Sequence, residues 1–274
     1  MKLKDKVAVI AGGTKGIGLG IALEFVREGA KVVVGGTTAT NGEAAVSEIK
    51  AAGGDGLFVE CDVSDLEQLD NIVAETVRNF GRLDIYVANA GINDSNKTHY
   101  LDISPEQYDR MMDVNLKGMF FGGQKAAQQM RAQGDGGVII NMSSVNSHLG
   151  LDSQFVYTVS KGAIQQLTKV QAVALAPYNI KVNALAPGPI ETDLMRRVGS
   201  DKLLMDTILS RTPLGRIGTP KECGRLAVFL ASSDSDFIFG QSIFIDGGRG
   251  FQAFPTPGYK TITDEEYEQL QDRT

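Results

Sequence analysis

The sequence predicts an α/β protein: one doubly wound parallel sheet of about seven strands with helices on both faces. Three observations carry that expectation. Short apolar runs alternate along the chain with amphipathic stretches of helix length. The runs are continuously apolar rather than alternating, so both of their faces must be covered. The gaps between them, about 20 to about 55 residues, each leave room for a crossover helix.

The elements follow in order. The first run, Val7–Ala11, reads VAVIA and opens directly into a glycine-rich turn. Beyond the turn, Ile21, Ala22, Phe25 and Val26 repeat with helical spacing. Val32–Val34, Leu57–Val59 and Ile85–Ala88 are the next strands, followed by Val138–Met142, Ile180–Ala186 and Ser242–Ile245. Pro187 to Pro213 interrupts the alternation before the last helix. The tail after Gly248, RGFQAFPTPGYKTITDEEYEQLQDRT, carries two prolines and an acidic end and lies past the last strand. Residues 1–250 are therefore expected to form a single domain and 251–274 a C-terminal extension.

Bulk composition narrows the function classes. Of 274 residues, 42% are apolar and 22% charged, ordinary globular values, and 32 are glycine, which suits many tight strand-helix turns. The net charge of −6 comes without a basic block, so neither nucleic acid nor a membrane is an expected partner. Cys61 and Cys223 are the only cysteines and form no ligand spacing; no metal site is expected, and a reducing compartment suits them. The apolar run after MKLKDK breaks at Gly12 and is too short for a signal peptide, so the cytoplasm is the default location.

The turn GGTKGIG, Gly12 to Gly18, follows the first strand and opens a helix. Glycines let the backbone approach a pyrophosphate, and the helix N-terminus offers free N–H groups and partial positive charge. This GxxxGxG spacing resembles the short-chain dehydrogenase/reductase family, a set of Rossmann-type folds, and the likeness runs from about residue 5 to about residue 248. Ala11 stands where that family often has Thr. The resemblance implies a nicotinamide cofactor held by Gly12, Thr14, Lys15, Gly16, Ile17 and Gly18. It further implies contacts from Asp62 and Val63 after the third strand, and from Asn89, Ala90 and Gly91 in an NNAG-like ANAG motif. The Pro187, Gly188, Ile190 and Thr192 segment is expected to fix the carboxamide. A carboxylate ending the second strand would repel a 2′-phosphate. Here Gly35 and Gly36 hold that place, followed by Thr37 and Thr38, with Lys15 nearby. The expectation is NADP(H), with NAD(H) kept as the alternative because no Arg follows the strand.

Tyr157 and Lys161 lie four residues apart and so share one helix face. A phenol titrates near 10 and serves as a poor acid or base unless its anion is stabilised, which a nearby ammonium does. Ser144, 13 residues earlier, ends the fifth strand. Asn115 falls mid-helix, where Asn is unfavourable. These four match the Asn-Ser-Tyr-Lys tetrad of the resembled family. They imply hydride transfer between a nicotinamide and a carbonyl carbon, with Tyr157 moving the proton and Ser144 rather than Ser143 holding the oxygen. Tyr157 and Lys161 are also expected to touch the cofactor, and Asn115 to extend a proton path toward Lys161. Asn183 and Asp246 read as structural.

The substrate is less legible. The resemblance implies a lid near 189–213, and its Leu194, Met195, Leu203, Leu204, Met205, Ile208 and Leu209 suit an apolar pocket. His148, Leu149 and Phe155 are expected to line the same pocket. The reading favours a small alcohol or ketone, apolar or alicyclic and steroid-like. Its alternatives are a 3-oxoacyl carrier-protein reductase, a sugar or polyol dehydrogenase, and a catalytically silent nucleotide sensor. Val173 stands where the carrier-protein reductases tend to have Arg. A homotetramer or homodimer is expected on resemblance.

Overall fold

The computed structural model describes residues 1–93, 98–151, 154–192, 195 and 202–251. Leu194, Arg196, Arg197 and the extension beyond residue 251 lie outside the described residues. The strands are β1 (Val7–Ala11), β2 (Lys31–Gly36), β3 (Gly56–Glu60), β4 (Ile85–Ala88), β5 (Gly137–Met142), β6 (Ile180–Pro187) and β7 (Ser242–Ile245). Each falls within two residues of its expected position. They form one parallel sheet in the order β3-β2-β1-β4-β5-β6-β7.

Every residue of β1, β4 and β6 is buried, as parallel strands covered on both faces require. The helices are α1 (Gly16–Arg27), α2 (Ala39–Ala51), α3 (Leu66–Phe80), α4 (Pro105–Met112), α5 (Gly118–Gln133), α6 (Phe155–Leu175), α7 (Lys202–Ser210) and α8 (Pro220–Ala231). The apolar stripe of α1, Ile21, Ala22, Phe25 and Val26, is buried as its spacing predicts.

Two features of this topology position the site. The chain moves outward from β1 to β2 and β3, then returns to place β4 on the other side of β1. The carboxyl ends of β1 and β4 therefore diverge into a crevice. Their loops meet there: the Asn89 amide donates to the Gly12 carbonyl at 2.6 Å. The second feature is a close crossing of α8 on α1. A Cβ on Gly20 would meet Pro220 at 2.6 Å, and one on Gly224 would meet the Gly20 carbonyl at 2.6 Å. α8 starts with a capping box between Thr219 and Glu222 and braces the helix that opens toward the crevice.

Candidate functional site

The nucleotide side of the crevice is made largely of backbone. Gly12 has a φ of 77°, and a Cβ there would sit 2.7 Å from the Ala90 Cα. At Gly18 a Cβ would lie 2.1 Å from the Gly12 carbonyl oxygen and 2.6 Å from the Asn89 amide nitrogen. Only glycine fits either place. Lys15 precedes α1 in extended conformation, and α1 has no side-chain cap. Its first backbone bond is donated by Leu19 to the Lys15 carbonyl, at 3.2 Å. The N–H groups of Gly16, Ile17 and Gly18 thus head an uncapped helix, a ready site for a diphosphate. A glycine cradle around an uncapped helix start fits the expected nicotinamide dinucleotide.

The other nucleotide expectations fall around this cradle. A Cβ on Gly36 would lie 2.9 Å from Thr14, so the end of β2 passes directly beside the glycine turn. Thr37, Thr38 and the Lys15 side chain are exposed next to it. Asp62 accepts from the Ser64 N–H at 2.9 Å and its hydroxyl at 2.7 Å, while Asp65 caps α3. Val63 is buried, with Gly118 closed over its carbonyl. Pro187 ends β6, and Gly188 donates to the Ile245 carbonyl at 3.0 Å. Ile190 is buried and bridges to Gly218. A Cβ on Gly16 would meet the Thr192 methyl at 3.2 Å, so these two residues face each other closely.

Across the crevice stand the proton-handling candidates, and here the side chains matter. Ser143 and Ser144 leave β5 in opposite directions. The Ser143 hydroxyl donates to the Lys161 carbonyl at 3.2 Å, whereas the Ser144 hydroxyl lies on the Tyr157 side and acts to lower its phenol. Ser144 also accepts from the Asn146 N–H at 3.1 Å. Lys161 is 3% exposed, donates to the Met142 carbonyl at 2.9 Å, and places Nζ 5.6 Å from the centre of the Tyr157 ring. Burial drives the Lys161 ammonium down to about 8. In the chain without cofactor, burial raises the Tyr157 phenol above its ordinary value and the Ser144 hydroxyl opposes that in part.

Asn115 is fully buried, but not in a regular helix. Asp113–Lys117 form a π-helical turn joining α4 to α5. That extra residue per turn directs the Asn115 amide onto Ile92, accepting from its N–H at 2.8 Å and donating to its carbonyl at 2.9 Å. The amide also reaches the Ser160 hydroxyl at 3.2 Å. It therefore pins the loop after β4. A Cβ on Gly91 would lie 3.2 Å from the Asn115 oxygen and 3.5 Å from Lys161 Nζ, so the ANAG loop, Asn115 and Lys161 converge.

The substrate expectations divide. Phe155, two residues before Tyr157, packs on Tyr100 with ring centres 5.4 Å apart. Leu149 is partly buried, and the Met195 N–H donates to the Thr192 hydroxyl at 3.4 Å. His148 is held elsewhere. Its Nδ1 lies 2.9 Å from the Gln165 amide, two turns along α6 from Tyr157, and its ring meets Phe244 edge-on. Asn93 was not singled out by the sequence. Its Oδ1, just beyond Ile92, is buried and has no hydrogen-bond partner among the described residues. An Asn in a loop carries no signal of that kind; only the pinning of Ile92 reveals it. Asn183 and Asp246 bond only backbone groups, as structural residues do.

Comparison with known proteins agrees with this geometry. Residues 11–249 match the family model described as Enoyl-(Acyl carrier protein) reductase. The chain is 38% identical over 252 residues to an L-rhamnose 1-dehydrogenase (NAD(P)(+)) of Azotobacter vinelandii, covering 90% of this chain and 98% of that protein. It is 39% identical over 252 residues to an NADP-dependent (R)-specific alcohol dehydrogenase of Lentilactobacillus kefiri, covering 90% and 97%. A solved short-chain type dehydrogenase/reductase from Mycobacterium marinum superimposes with a TM-score of 0.85 at 36% identity, covering 90% and 96%. With its parallel sheet, glycine cradle and Ser-Tyr-Lys cluster, the chain belongs to the short-chain dehydrogenase/reductase family of NAD(P)-dependent oxidoreductases.

Proposed function

We propose that this protein interconverts a secondary alcohol and a ketone on a small hydroxylated substrate. The observation that carries the reading is the convergence of the buried Lys161 on Tyr157, with Nζ 5.6 Å from its ring centre, on the side of α6 that faces Ser144. Ser144 orients the substrate oxygen, and Tyr157 Oη gives or takes the proton there. Lys161 supplies positive charge at the phenol, and Asn115 keeps the ANAG loop closed against Lys161. When bound, the nicotinamide supplies the hydride acceptor or donor. Gly12, Gly16, Ile17 and Gly18 would hold its diphosphate, and Ile190 and Thr192 its carboxamide. Thr14, Lys15, Thr37 and Thr38 would receive the 2′-phosphate of NADP(H). The relative from Lentilactobacillus kefiri, named NADP-dependent, supports that preference.

The steroid-like substrate expected from the lid lacks support: the two relatives are named for L-rhamnose and for an (R)-specific alcohol reaction. The Asn93 oxygen, without a donor among the described residues, suits a ligand hydroxyl better than an apolar ring, since a buried acceptor without a donor is costly. A sugar or polyol is therefore the favoured substrate class. A second copy of the chain is the favoured partner. Phe120, Val159, Val170, Val173 and Tyr178 expose apolar surface along α5, α6 and the turn after it.

The test is turnover of a panel of sugars, polyols and simple ketones with NAD(H) and NADP(H) side by side. Tyr157→Phe is expected to abolish turnover while cofactor binding persists. Retained activity in that variant sinks the mechanism. Tight cofactor binding with no turnover across the panel supports a nucleotide sensor instead.

A further inference from the structure

Two arginines meet at the carboxyl edge of the sheet, and neither has an ion pair among the described residues. Arg249 follows β7, is partly buried, and donates through Nη1 to the Ile208 carbonyl at 3.0 Å. The same carbonyl takes the Arg211 N–H at 3.3 Å and the Thr212 hydroxyl at 2.9 Å. Three donors share an oxygen with two lone pairs, so the hold on Arg249 is replaceable. Among the described residues the carboxylate acting on Arg249 is Asp246, whose two oxygens already accept the Gly248 N–H at 2.9 Å and the Gly250 N–H at 2.7 Å. The like charge of Arg211 and partial burial both disfavour the Arg249 cation. Gly250, next to Arg249, lies beside the proton-handling cluster: a Cβ there would lie 3.6 Å from Val145, the residue after Ser144. In a chain of net charge −6, a pair of guanidinium groups with no ion pair among the described residues is a local positive focus.

We propose that Arg249, backed by Arg211, binds an anionic group, carboxylate or phosphate, on the alcohol or ketone substrate. An anion there separates the two like charges and accepts charge-assisted, bidentate hydrogen bonds from a guanidinium that is already partly desolvated. The substrate class sharpens from hydroxylated compounds to hydroxy acids or phosphorylated alcohols. The inference rests on the hydride-transfer reading above, and the experiment separates the two.

Matched substrates are compared with the full-length protein: a polyol or sugar, the same skeleton bearing a carboxylate, and the same skeleton bearing a phosphate. The wild type is expected to favour an anionic member at least about tenfold in kcat/KM, a margin typical of a charge-assisted hydrogen bond. Arg249→Gln erases that preference by raising KM for the anionic member, Arg249→Lys restores part of it, and Arg211→Gln weakens it less. In parallel, malonate and inorganic phosphate are titrated into the cofactor-saturated protein. Binding that is lost in Arg249→Gln supports the site and shows which anion it prefers. If Arg249→Gln changes neutral and anionic substrates equally, the arginine merely ends α7 and the proposal is overturned. If nothing on the panel is turned over, the hydride-transfer reading fails, and malonate and phosphate binding decides the anion site alone. Absence of Arg249-dependent binding then overturns it.

Discussion

Around the glycine turn the crevice is shaped by atoms that are missing. At Gly12 and Gly18 the neighbouring backbone lies closer than any Cβ tolerates, so the cradle exists because nothing projects into it. Around Tyr157 the opposite holds. Ser144, Asn115 and Lys161 are buried polar side chains, and each has a specific partner: the Asn146 N–H, Ile92 and the Met142 carbonyl. The first region should fail when atoms are added, losing cofactor before chemistry. The second should fail when polar atoms are removed, losing chemistry while cofactor stays.

The sharpest break in that comparison uses the two adjacent serines. Ser144→Ala should lower kcat by about 100-fold or more, the scale of a positioned hydrogen-bonding group. Cofactor affinity should hold within about twofold, a shift below the worth of one hydrogen bond. Ser143→Ala, whose hydroxyl only serves the Lys161 carbonyl, should leave kcat within a few-fold. Equal effects of the two, measured by steady-state kinetics, would remove the distinction. Gly18→Ala should do the reverse, weakening cofactor binding more than about tenfold and lowering Tm, because 2.1 Å to the Gly12 carbonyl forces the turn apart. Unaltered cofactor affinity by calorimetry would show that the turn can yield.

A third expectation concerns charge. The Lys161 pKa is lowered from 10.5 to about 8 by burial. Below about 8 the ammonium is charged in both folded and unfolded chains, and its desolvation fully opposes folding. Between about 8 and 10.5 the unfolded chain binds more protons, so this penalty fades as pH rises. Lys161→Met should therefore be inactive yet relatively more stable than the wild type near neutral pH. Its advantage in Tm should shrink toward pH 10; an advantage constant with pH would argue that the charge is not the cause. The smallest effect is expected far from the chemistry. Thr219→Ala removes the cap of α8 and should cost about 1 kcal/mol, roughly 2 to 4 °C in Tm, leaving kcat untouched.

The two regions also differ in how far the sequence discloses them. The cradle is legible because glycine spacing after an apolar run states a backbone requirement directly, and all seven strands follow from continuous apolar runs in the same way. On the proton side the residue types and helix face are legible, since Tyr157 and Lys161 share α6. Their environment is not. The sequence leads one to expect that Lys161 lowers the phenol; the opposing effect of burial, which raises it in the chain without cofactor, depends on long-range packing. Asn115 is recognisable as an odd residue within a helix, yet its grip on Ile92 needs a π turn that no local propensity announces. His148 sits between Ser144 and Tyr157 in sequence, but Gln165 and Phe244 draw it along α6. The Arg249 contact with Ile208 joins residues 41 apart and leaves no trace in either segment.

The π turn at Asp113–Lys117 gives the chain a single-residue route between two working states. Deleting one residue there would restore an ordinary helical repeat through α4 and α5, turn Asn115 away from Ile92, and leave the glycine cradle in place. One codon would then separate an oxidoreductase from a nucleotide-binding relative that no longer turns over, a far shorter step than losing Tyr157 and Lys161 one after the other.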